Sequence, residues 1–256
     1  MHRIHRRVNH GPKMVTFYHD IEQDSDRAAV PDATSEQCRQ IVKEFLHIEN
    51  KLGVPVTYNV VGKFFQQQPE LIEWITHSDQ EIAFHSYNHQ QDWKPEYFAD
   101  EVVSCRNVSS LPCGYRSPRS QWNQTTLETL WKYGFTWNAE SIRETLLRHD
   151  PHKEPYFIYE GLVRLPISAD DWPIYTGRIT AKEWVGQFSD LLRARSYVAI
   201  GTHDCVASLD PEVRLGAWEE LLQVALKNDT LRVTFGEAAE IFRRSARATS
   251  LASPNN

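Results

Sequence analysis

Short apolar runs alternate with amphipathic helical segments along nearly the whole chain of 256 residues. The first apolar run covers residues 13–18. The segment Ser35–Leu52 that follows places Ile41, Val42 and Phe45 near one helical face, and Gly53 supplies a stop signal. Because strands and helices alternate in this way, the pattern predicts βα units whose strands lie parallel in one sheet.

The same alternation continues to the end of the sequence. Further strands are predicted at 54–61, 81–84, around Tyr115, and at 135–138, 162–166, 197–201 and 231–235, with helices from Pro69 and over 95–108, 125–133, 180–195 and 211–227. Seven or eight strands over about 230 residues favour an α/β fold, a distorted (β/α) barrel of parallel strands, over an open doubly wound sheet. No Gly-x-Gly-x-x-Gly follows a predicted strand, which weakens the dinucleotide-binding alternative. We expect one domain over 1–256, with flexible ends at 1–12 and 245–256.

Charge and cysteine content exclude several functional classes. A formal net charge of -6 argues against a nucleic-acid partner, which would require a basic face. The four cysteines, Cys38, Cys105, Cys113 and Cys205, form no Cys-x-x-Cys pair, so neither a zinc finger nor a disulfide scaffold is indicated. The basic start lacks the apolar run of a signal peptide, and no stretch reaches the length of a transmembrane segment. The sequence therefore predicts a cytoplasmic protein with thiols in a reducing compartment.

Polar residues with catalytic or metal-binding chemistry follow the ends of several predicted strands. In β/α barrels, the active site lies on the loops at the carboxyl ends of the strands. These strand-end residues are Asp20, His85, His89, Arg116, Asp170, Asp171, His203 and Asp204. We expect them to form one constellation at the mouth of the barrel.

Within this constellation, Asp20, His85 and His89 have the composition of a metal site. Two histidines four residues apart reach one ion from a helical turn, and a carboxylate from elsewhere leaves positions open for water and substrate. A chain with 11 histidines also produces such a pair by chance. A solvated or core-packed histidine pair is therefore the alternative, just as Arg116 has the alternative of a structural ion pair.

Five segments taken in order resemble the motifs of a known enzyme family. They are Phe-Tyr-His-Asp at 17–20, His-Ser-Tyr-Asn-His at 85–89, Arg-Ser-Pro at 116–118, Asp-Asp-Trp at 170–172 and Ile-Gly-Thr-His-Asp at 200–204. Together they resemble the polysaccharide deacetylases, the NodB-homology proteins of carbohydrate esterase family 4, over residues 14 to about 205. This resemblance implies a distorted barrel and a divalent metal held by Asp20, His85 and His89, most often zinc, sometimes cobalt, nickel or iron.

The resemblance also implies roles for residues around the metal. His203 matches the catalytic acid, Asp171 the acidic partner that keeps this histidine protonated, and Arg116 the arginine that orients the catalytic base. Trp172 matches the aromatic wall of the sugar or acetyl pocket. Tyr87 and Tyr115, near strand ends, are further aromatic candidates for contact with a sugar.

The first motif departs from the family pattern. Family members carry an Asp as general base just before, or two residues before, the metal-binding Asp, whereas Tyr18 and His19 precede Asp20 here. Strand alternation predicts that Tyr18 shares a side with Asp20 and that His19 points the other way. Tyr18 is therefore the candidate at the base position, with bulk water, His203, Glu22 or Asp204 as other acceptors of the proton.

By resemblance, the chain is a metal-dependent hydrolase that removes an acetyl group from an N-acetylated or O-acylated sugar. The expected cytoplasmic location favours a sugar on a nucleotide or lipid carrier, in surface-polysaccharide or O-antigen biosynthesis, over finished wall polymer. Two alternatives stay open. One is a sugar-binding pseudoenzyme, because the base position departs from the family. The other is an amidohydrolase of a small non-sugar amide, because barrel loops change substrate without changing the core.

Overall fold

The computed structural model of the chain describes residues 13–26, 29–90, 94–141 and 152–251. Its strands are β1 Met14–Ile21, β2 Val56–Val60, β3 Glu81–Phe84, β4 Gly114–Arg116, β5 Trp137–Ser141, β6 Tyr156–Tyr159, β7 Leu162–Ile167, β8 Ala169–Asp170, β9 Tyr197–His203 and β10 Leu231–Arg232. Its α-helices are α1 Ser35–Leu52, α2 Phe64–Gln67, α3 Pro69–His77, α4 Phe98–Val108, α5 Gln124–Lys132, α6 Trp172–Tyr175, α7 Ala181–Ala194, α8 Asp204–Ala207, α9 Pro211–Lys227 and α10 Phe235–Leu251. Short 3-10 helices cover Gln23–Asp26, Pro95–Tyr97 and Pro118–Ser120.

One curled sheet contains all of these strands. Their order is β6-β7-β5-β4-β3-β2-β1-β9-β8, with β10 pairing with the start of β1. Every neighbouring pair is parallel except β6 with β7, which is antiparallel. The predicted α/β fold, a distorted barrel of parallel strands, is confirmed.

The carboxyl-terminal part of the chain differs from the sequence-based prediction. The strand expected at 231–235 ends at Arg232, and α10 begins at Phe235. A reciprocal pair of hydrogen bonds starts this helix, because Glu237 N donates to Thr234 Oγ1 and Thr234 N donates to the Glu237 carboxylate. Residues 245–251 continue α10 where a flexible tail was expected. The expected flexible segment 1–12 and residues 252–256 lie outside the described residues.

The two faces of β1 have different surroundings, which follow from strand alternation. Val15, Phe17 and Ile21 join the core between the sheet and helices α1, α7 and α9. Tyr18 faces the concave interior of the curled sheet, where it packs in the core that contains Trp137. Because side chains alternate along a strand, those of the even-numbered residues that follow Tyr18 at the end of β1 also point toward the concave side.

His19 lies on the helix side, buried behind the site. Its ring stacks on Phe45, and its Nε2 donates to the buried carboxylate of Glu49 at 2.6 Å. Tyr58 and Trp218 donate to the same carboxylate, so this charge is compensated by three donors. His19 therefore points away from the concave side, as the alternation of β1 predicts.

Close contact between β1 and β9 brings the ends of these two strands together. A Cβ atom on Gly201 would lie 2.4 Å from the carbonyl oxygen of Tyr18, so only glycine fits there. The register pairs Asp20 with His203 at the carboxyl ends of the strands. Within the described ranges, no helix is both long and apolar enough to span a membrane.

Candidate active site

A carboxylate at the end of β1 meets both histidines of the second motif. Glu22 Oε1 lies 3.0 Å from His85 Nε2 and 3.2 Å from His89 Nε2. All three side chains are buried, and one donor atom from each lies within 4.8 Å of the others. Two imidazoles and one carboxylate converging in this way are a donor set that divalent transition metals favour.

The histidine pair converges through a loop, where the sequence suggested a helical turn. Residues 85–89 follow β3 without helical structure, and both Ser86 (φ 56°) and His89 (φ 51°) have left-handed backbone conformations. Such conformations are unfavourable for residues with a side chain and persist where the surroundings enforce them. The bend turns both imidazoles toward Glu22.

Hydrogen bonds from three directions enforce this loop. His89 N donates to Ser86 Oγ at 3.0 Å, and Gly62 N donates to the Ser86 carbonyl at 2.8 Å. Tyr87 N and Asn88 N donate to one carboxylate oxygen of Glu101 in α4, at 2.9 and 2.7 Å. The loop is therefore held by its own serine, by the segment after β2 and by α4.

A backbone contact fixes the orientation of His85. Its Nδ1 donates to the carbonyl oxygen of Arg116 at 3.1 Å. This arrangement leaves Nε2 directed at Glu22, and it is the outer contact that metal-binding histidines ordinarily make.

Asp20, the expected carboxylate ligand, is held by other partners. Arg116 Nε donates to its two oxygens at 3.0 and 2.7 Å, and Asn59 Nδ2 donates at 2.9 Å. Its nearest approach to His85 is 3.9 Å, to Nδ1. Among the described residues, the candidate metal group with both histidines contains Glu22, and Asp20 appears in a second group with Glu22 and His203. Asp20 was expected to join the two histidines, but its carboxylate binds the Arg116 guanidinium instead.

His203 faces these carboxylates from the end of β9. Its Nδ1 lies 2.7 Å from Asp171 Oδ1, and its Nε2 lies 3.5 Å from Asp20 Oδ2. Arg214 Nη1 lies 3.6 Å from the other oxygen of Asp171. The structure thus brings together His203 and Asp171, the two residues expected to act as acid and acidic partner.

Burial and opposite charges set the ionisation of the site. Burial alone would lower the pKa of His203, but the carboxylates of Asp171, Glu22 and Asp20 raise this pKa well above its usual value. Burial would raise the pKa of Glu22 and of Asp20. His89 and His85 nevertheless hold the pKa of Glu22 well below its usual value, and Arg116 leads the charges that lower that of Asp20. Near neutral pH the histidine opposite the carboxylates is therefore an acid that retains its proton.

Asp204 supports the segment that carries Glu22. Burial raises the pKa of this carboxyl to about 7. Its carboxylate accepts hydrogen bonds from the backbone N–H groups of Glu22, Gln23 and Cys205. Asp204 therefore lies behind the site as an anchor for the chain after β1.

A cleft of about 410 Å³ opens beside these groups. This volume lies within the range of small-molecule sites. Its lining residues are Glu22, Ala29, Arg116, Arg119, Ser120, Asp170, Trp172 and His203. The Trp172 ring stands edge-on to the His203 ring, with centres 5.9 Å apart, and both residues line the cleft.

Three tyrosines expected in the site lie elsewhere. Tyr18 is fully buried, with the Arg116 guanidinium 5.3 Å from its ring centre, so it packs against that arginine. Tyr115 is fully buried and packs edge-on against Phe135. Tyr87 joins the loop through its backbone, and its side chain packs on the same core as Tyr115. None of the three lines the cleft, because their rings pack against hydrophobic core residues.

The sequence interpretation missed the position of Glu22 between the histidines, and it missed Asn59 and Glu101. A signal for Glu22 was present, because residues two apart on a strand share a face and the chain reads Asp20-Ile21-Glu22. Asn59 and Glu101 had no comparable signal, since they act through contacts distant in sequence.

Comparison with known proteins relates part of the sequence to a known family and the whole fold to solved structures. The family described as polysaccharide deacetylase matches residues 24–137. The expected resemblance to the polysaccharide deacetylases is confirmed. A chitooligosaccharide deacetylase of Bradyrhizobium sp. (strain ANU 289) is 29% identical over 99 residues, covering 36% of this chain and 45% of that protein. A peptidoglycan deacetylase of Helicobacter pylori is 22% identical over 151 residues, covering 56% of this chain and 46% of that protein.

These matches span less than half the length of both curated deacetylases, whereas solved structures align over most of the chain. A Mycobacterium smegmatis protein assigned to the polysaccharide deacetylases aligns with a TM-score of 0.75 at 23% identity, covering 92% of each chain. An allantoinase aligns with a TM-score of 0.68 at 13% identity over 93% of this chain and 91% of its own. A Bacillus anthracis pseudoenzyme of carbohydrate esterase family 4 gives 0.54 at 11% identity, covering 90% and 66%. At these identities the likeness establishes the fold.

Proposed function

We propose that the chain is a metal-dependent hydrolase that removes an acetyl group from an N-acetylated or O-acylated sugar. The observation that carries this proposal is the position of Glu22 beside the Nε2 atoms of His85 and His89, in the same cleft as the His203–Asp171 pair. A metal-binding donor set next to a retained proton in a small-molecule cleft suits acyl hydrolysis.

The side chains fit a divalent cation, with zinc as the preferred ion and cobalt, nickel or iron as alternatives. Glu22, His85 and His89 would hold it, and Glu22 would take the ligand place expected for Asp20. When bound there, such an ion acidifies a water molecule and polarises an acyl carbonyl. The contact of His85 Nδ1 with a carbonyl oxygen supports this assignment, because it directs Nε2 at the other two donors.

Asp20 is then the general base. Its carboxylate is ionised, buried beside Glu22 and oriented by Arg116 and Asn59. The sequence resemblance implies that Arg116 orients the base, and the base it contacts here is Asp20, two residues before Glu22. We do not assign this role to Tyr18, because its buried ring packs against the Arg116 guanidinium.

His203 acts as the general acid. Asp171 binds its Nδ1 and favours the charged form, so Nε2 carries a proton toward the cleft. This proton passes to the departing amine or hydroxyl of the sugar. Trp172 offers an aromatic surface beside it for the sugar or the acetyl group.

For the biological setting, we propose a cytoplasmic role in surface-polysaccharide or O-antigen biosynthesis, on a sugar linked to a nucleotide or lipid carrier. All four cysteines lie in the described part of the chain, where no disulfide links them. This state suits a reducing compartment.

The proposed assignment of Asp20 as the base weighs against the binding-only alternative, because that alternative was motivated by a first motif without a carboxylate base. Hydrolysis of a small non-sugar amide remains the second candidate. The allantoinase with the same fold favours it.

The test is acetate release by the purified, zinc-loaded chain. Acetylated sugars, including nucleotide-linked ones, and small amides are supplied in parallel, with and without a chelator. We expect acetate from a sugar and its loss with chelator. His85→Ala and His89→Ala should each lose zinc, whereas His203→Ala keeps zinc and loses turnover. Turnover that persists after complete metal removal would contradict the proposal.

A further inference from the structure

We propose that the thiol of Cys205 positions Glu22, so that this carboxylate presents one oxygen to the metal site and holds the other on the thiol. This inference rests on the proposed function, because it adds a positioning residue to the proposed metal site. Cys205 is fully buried in α8, and its Sγ donates to Glu22 Oε2 at 3.7 Å.

The two oxygens of Glu22 have different partners. Oε1 lies 3.0 Å from His85 Nε2 and 3.2 Å from His89 Nε2, whereas Oε2 accepts from the thiol. A carboxylate binds a metal ion through one oxygen or through both. A hydrogen-bond partner on Oε2 favours binding through Oε1 alone, which leaves more positions of the ion open for water and substrate.

A glutamate ligand needs this support more than an aspartate would. Its side chain has one more rotatable bond than that of the aspartate expected as the ligand, so fixing it costs more conformational entropy. Asp204 Oδ1 accepts from the backbone N–H groups of Glu22 and Gln23 at 2.9 and 3.2 Å, which fixes the backbone. These two bonds do not set the side-chain torsions of Glu22. Cys205 contacts the carboxylate itself, so two adjacent residues of α8 hold the backbone and the side chain of one ligand.

The surroundings of Cys205 suit a positioning residue better than a metal ligand. Among the residues that the structure describes, Cys205 belongs to neither of the two groups that could hold a metal ion. It belongs instead to a buried hydrophobic cluster with Val30, Ala33 and Val206. A buried free cysteine behaves as a small apolar side chain with a weak donor. It can therefore orient Glu22 without competing for the ion.

The test compares the zinc affinity of the unaltered chain with that of four single variants. Cys205→Ala and Cys205→Val both remove the donor, and Val fills the space if Ala loosens the core. Cys205→Ser keeps a donor at nearly the same size. Cys38→Ala is the matched control, because Cys38 lies in the same hydrophobic cluster and its Sγ donates to Ser208 Oγ at 3.8 Å.

Zinc affinity is measured by competition with a chromophoric chelator, and the visible spectrum of the cobalt-loaded chain reports the coordination of the ion. We expect Cys205→Ala and Cys205→Val to weaken zinc binding about tenfold, the lower end for outer contacts of metal ligands, because a thiol is a weak donor. Both should also change the cobalt spectrum, since Oε2 is then released. Cys205→Ser and Cys38→Ala should keep the spectrum and stay within about twofold of the affinity of the unaltered chain.

Three results overturn this inference alone, because the unaltered chain still binds zinc in each. The first is unchanged affinity in both Cys205→Ala and Cys205→Val. The second is equal weakening in Cys38→Ala, which would assign the effect to packing. The third is a sulfur-to-cobalt charge-transfer band that Cys205→Ser removes, which would make Cys205 itself a ligand. An unaltered chain that binds no zinc overturns the proposed metal site together with this inference.

Discussion

Asp20 lies in β1 and Glu22 directly follows that strand, yet the two carboxylates have different surroundings. Asp20 accepts charge-assisted hydrogen bonds from a guanidinium, whereas one oxygen of Glu22 contacts two imidazoles. An oxygen that lies between two imidazoles suits a metal ligand, and a carboxylate oriented by an arginine suits a base. The longer side chain of glutamate spans the distance to the histidine loop.

Glu22→Gln and Asp20→Asn should therefore have opposite effects on zinc. We expect Glu22→Gln to weaken zinc binding at least about 100-fold, because it removes the only charged ligand of the proposed set. Asp20→Asn should retain zinc and lose acetate release by about 100- to 10,000-fold, the usual range for a general base. Zinc is measured by competition with a chromophoric chelator, and turnover by acetate release.

Both variants are close to the native side chains in size, so each serves as the control for the other. Loss of zinc in Asp20→Asn, with retention in Glu22→Gln, would restore Asp20 as the ligand.

The pair of Asp171 and His203 leads to a prediction about pH. Asp171 raises the pKa of His203 against the effect of burial, so Asp171→Asn should lower this pKa. A general acid works only while protonated, and a lower pKa means that its proton is lost at a lower pH. The basic limb of the kcat profile should shift to lower pH, and kcat at pH 8 should fall about tenfold or more. An unchanged profile, with zinc content intact, would remove Asp171 from this role.

The residue types of the site were predictable from the sequence, but the assignment within the first motif was not. Strand ends collect His85, His89, Arg116 and His203 at one edge, because parallel strands share their direction. The choice between Asp20 and Glu22 depends on which carboxylate Arg116 contacts. That arginine is 96 residues away in sequence, and no local pattern reports the contact.

At the level of elements, α4 acts on the histidine loop through one residue. Glu101 accepts from Tyr87 N and Asn88 N, within a segment that has two left-handed residues. Glu101→Ala should leave these donors without a partner and loosen the convergence of the imidazoles. We expect zinc affinity to fall about 10- to 100-fold, as for other outer contacts of metal ligands.

Asp100→Ala is the matched control, because Asp100 is the neighbouring exposed carboxylate on α4. Glu101→Gln keeps an acceptor and should recover most of the affinity. If Asp100→Ala and Glu101→Ala weaken zinc equally, the effect comes from the charge of α4 and the loop contact is unimportant.

Elements with strong local signals were the predictable ones. Helix α1 begins with a reciprocal cap at Thr34 and ends at Gly53 in the left-handed conformation, and both residues are visible in the sequence. Helix α10 carries an equivalent cap at Thr234 and Glu237, but the apolar run before it favoured a strand instead. The antiparallel β6 pairs with β7 across a turn, and its alternation was too short to distinguish from a loop.

At the scale of the whole molecule, the sheet assembles the site from distant parts of the chain. Glu22 follows β1, the histidine loop follows β3, Arg116 ends β4 and His203 ends β9. The unfolded chain does not hold these donors together. Metal binding and folding are therefore linked, because an ion that binds only the folded state stabilises it.

Zinc should accordingly raise the thermal midpoint of unfolding. At a free zinc concentration 100 times the dissociation constant, the stabilisation is about 2.7 kcal/mol. A chain of this size shifts by about 2–4 °C per kcal/mol, so we expect a rise of about 5–10 °C, measured by calorimetry or circular dichroism. Glu22→Gln should abolish most of this rise, because its loss of zinc affinity removes the linkage. Arg193→Gln, altered on an exposed helix end, should keep it. A rise of equal size in Glu22→Gln would mean that zinc stabilises the fold from another site.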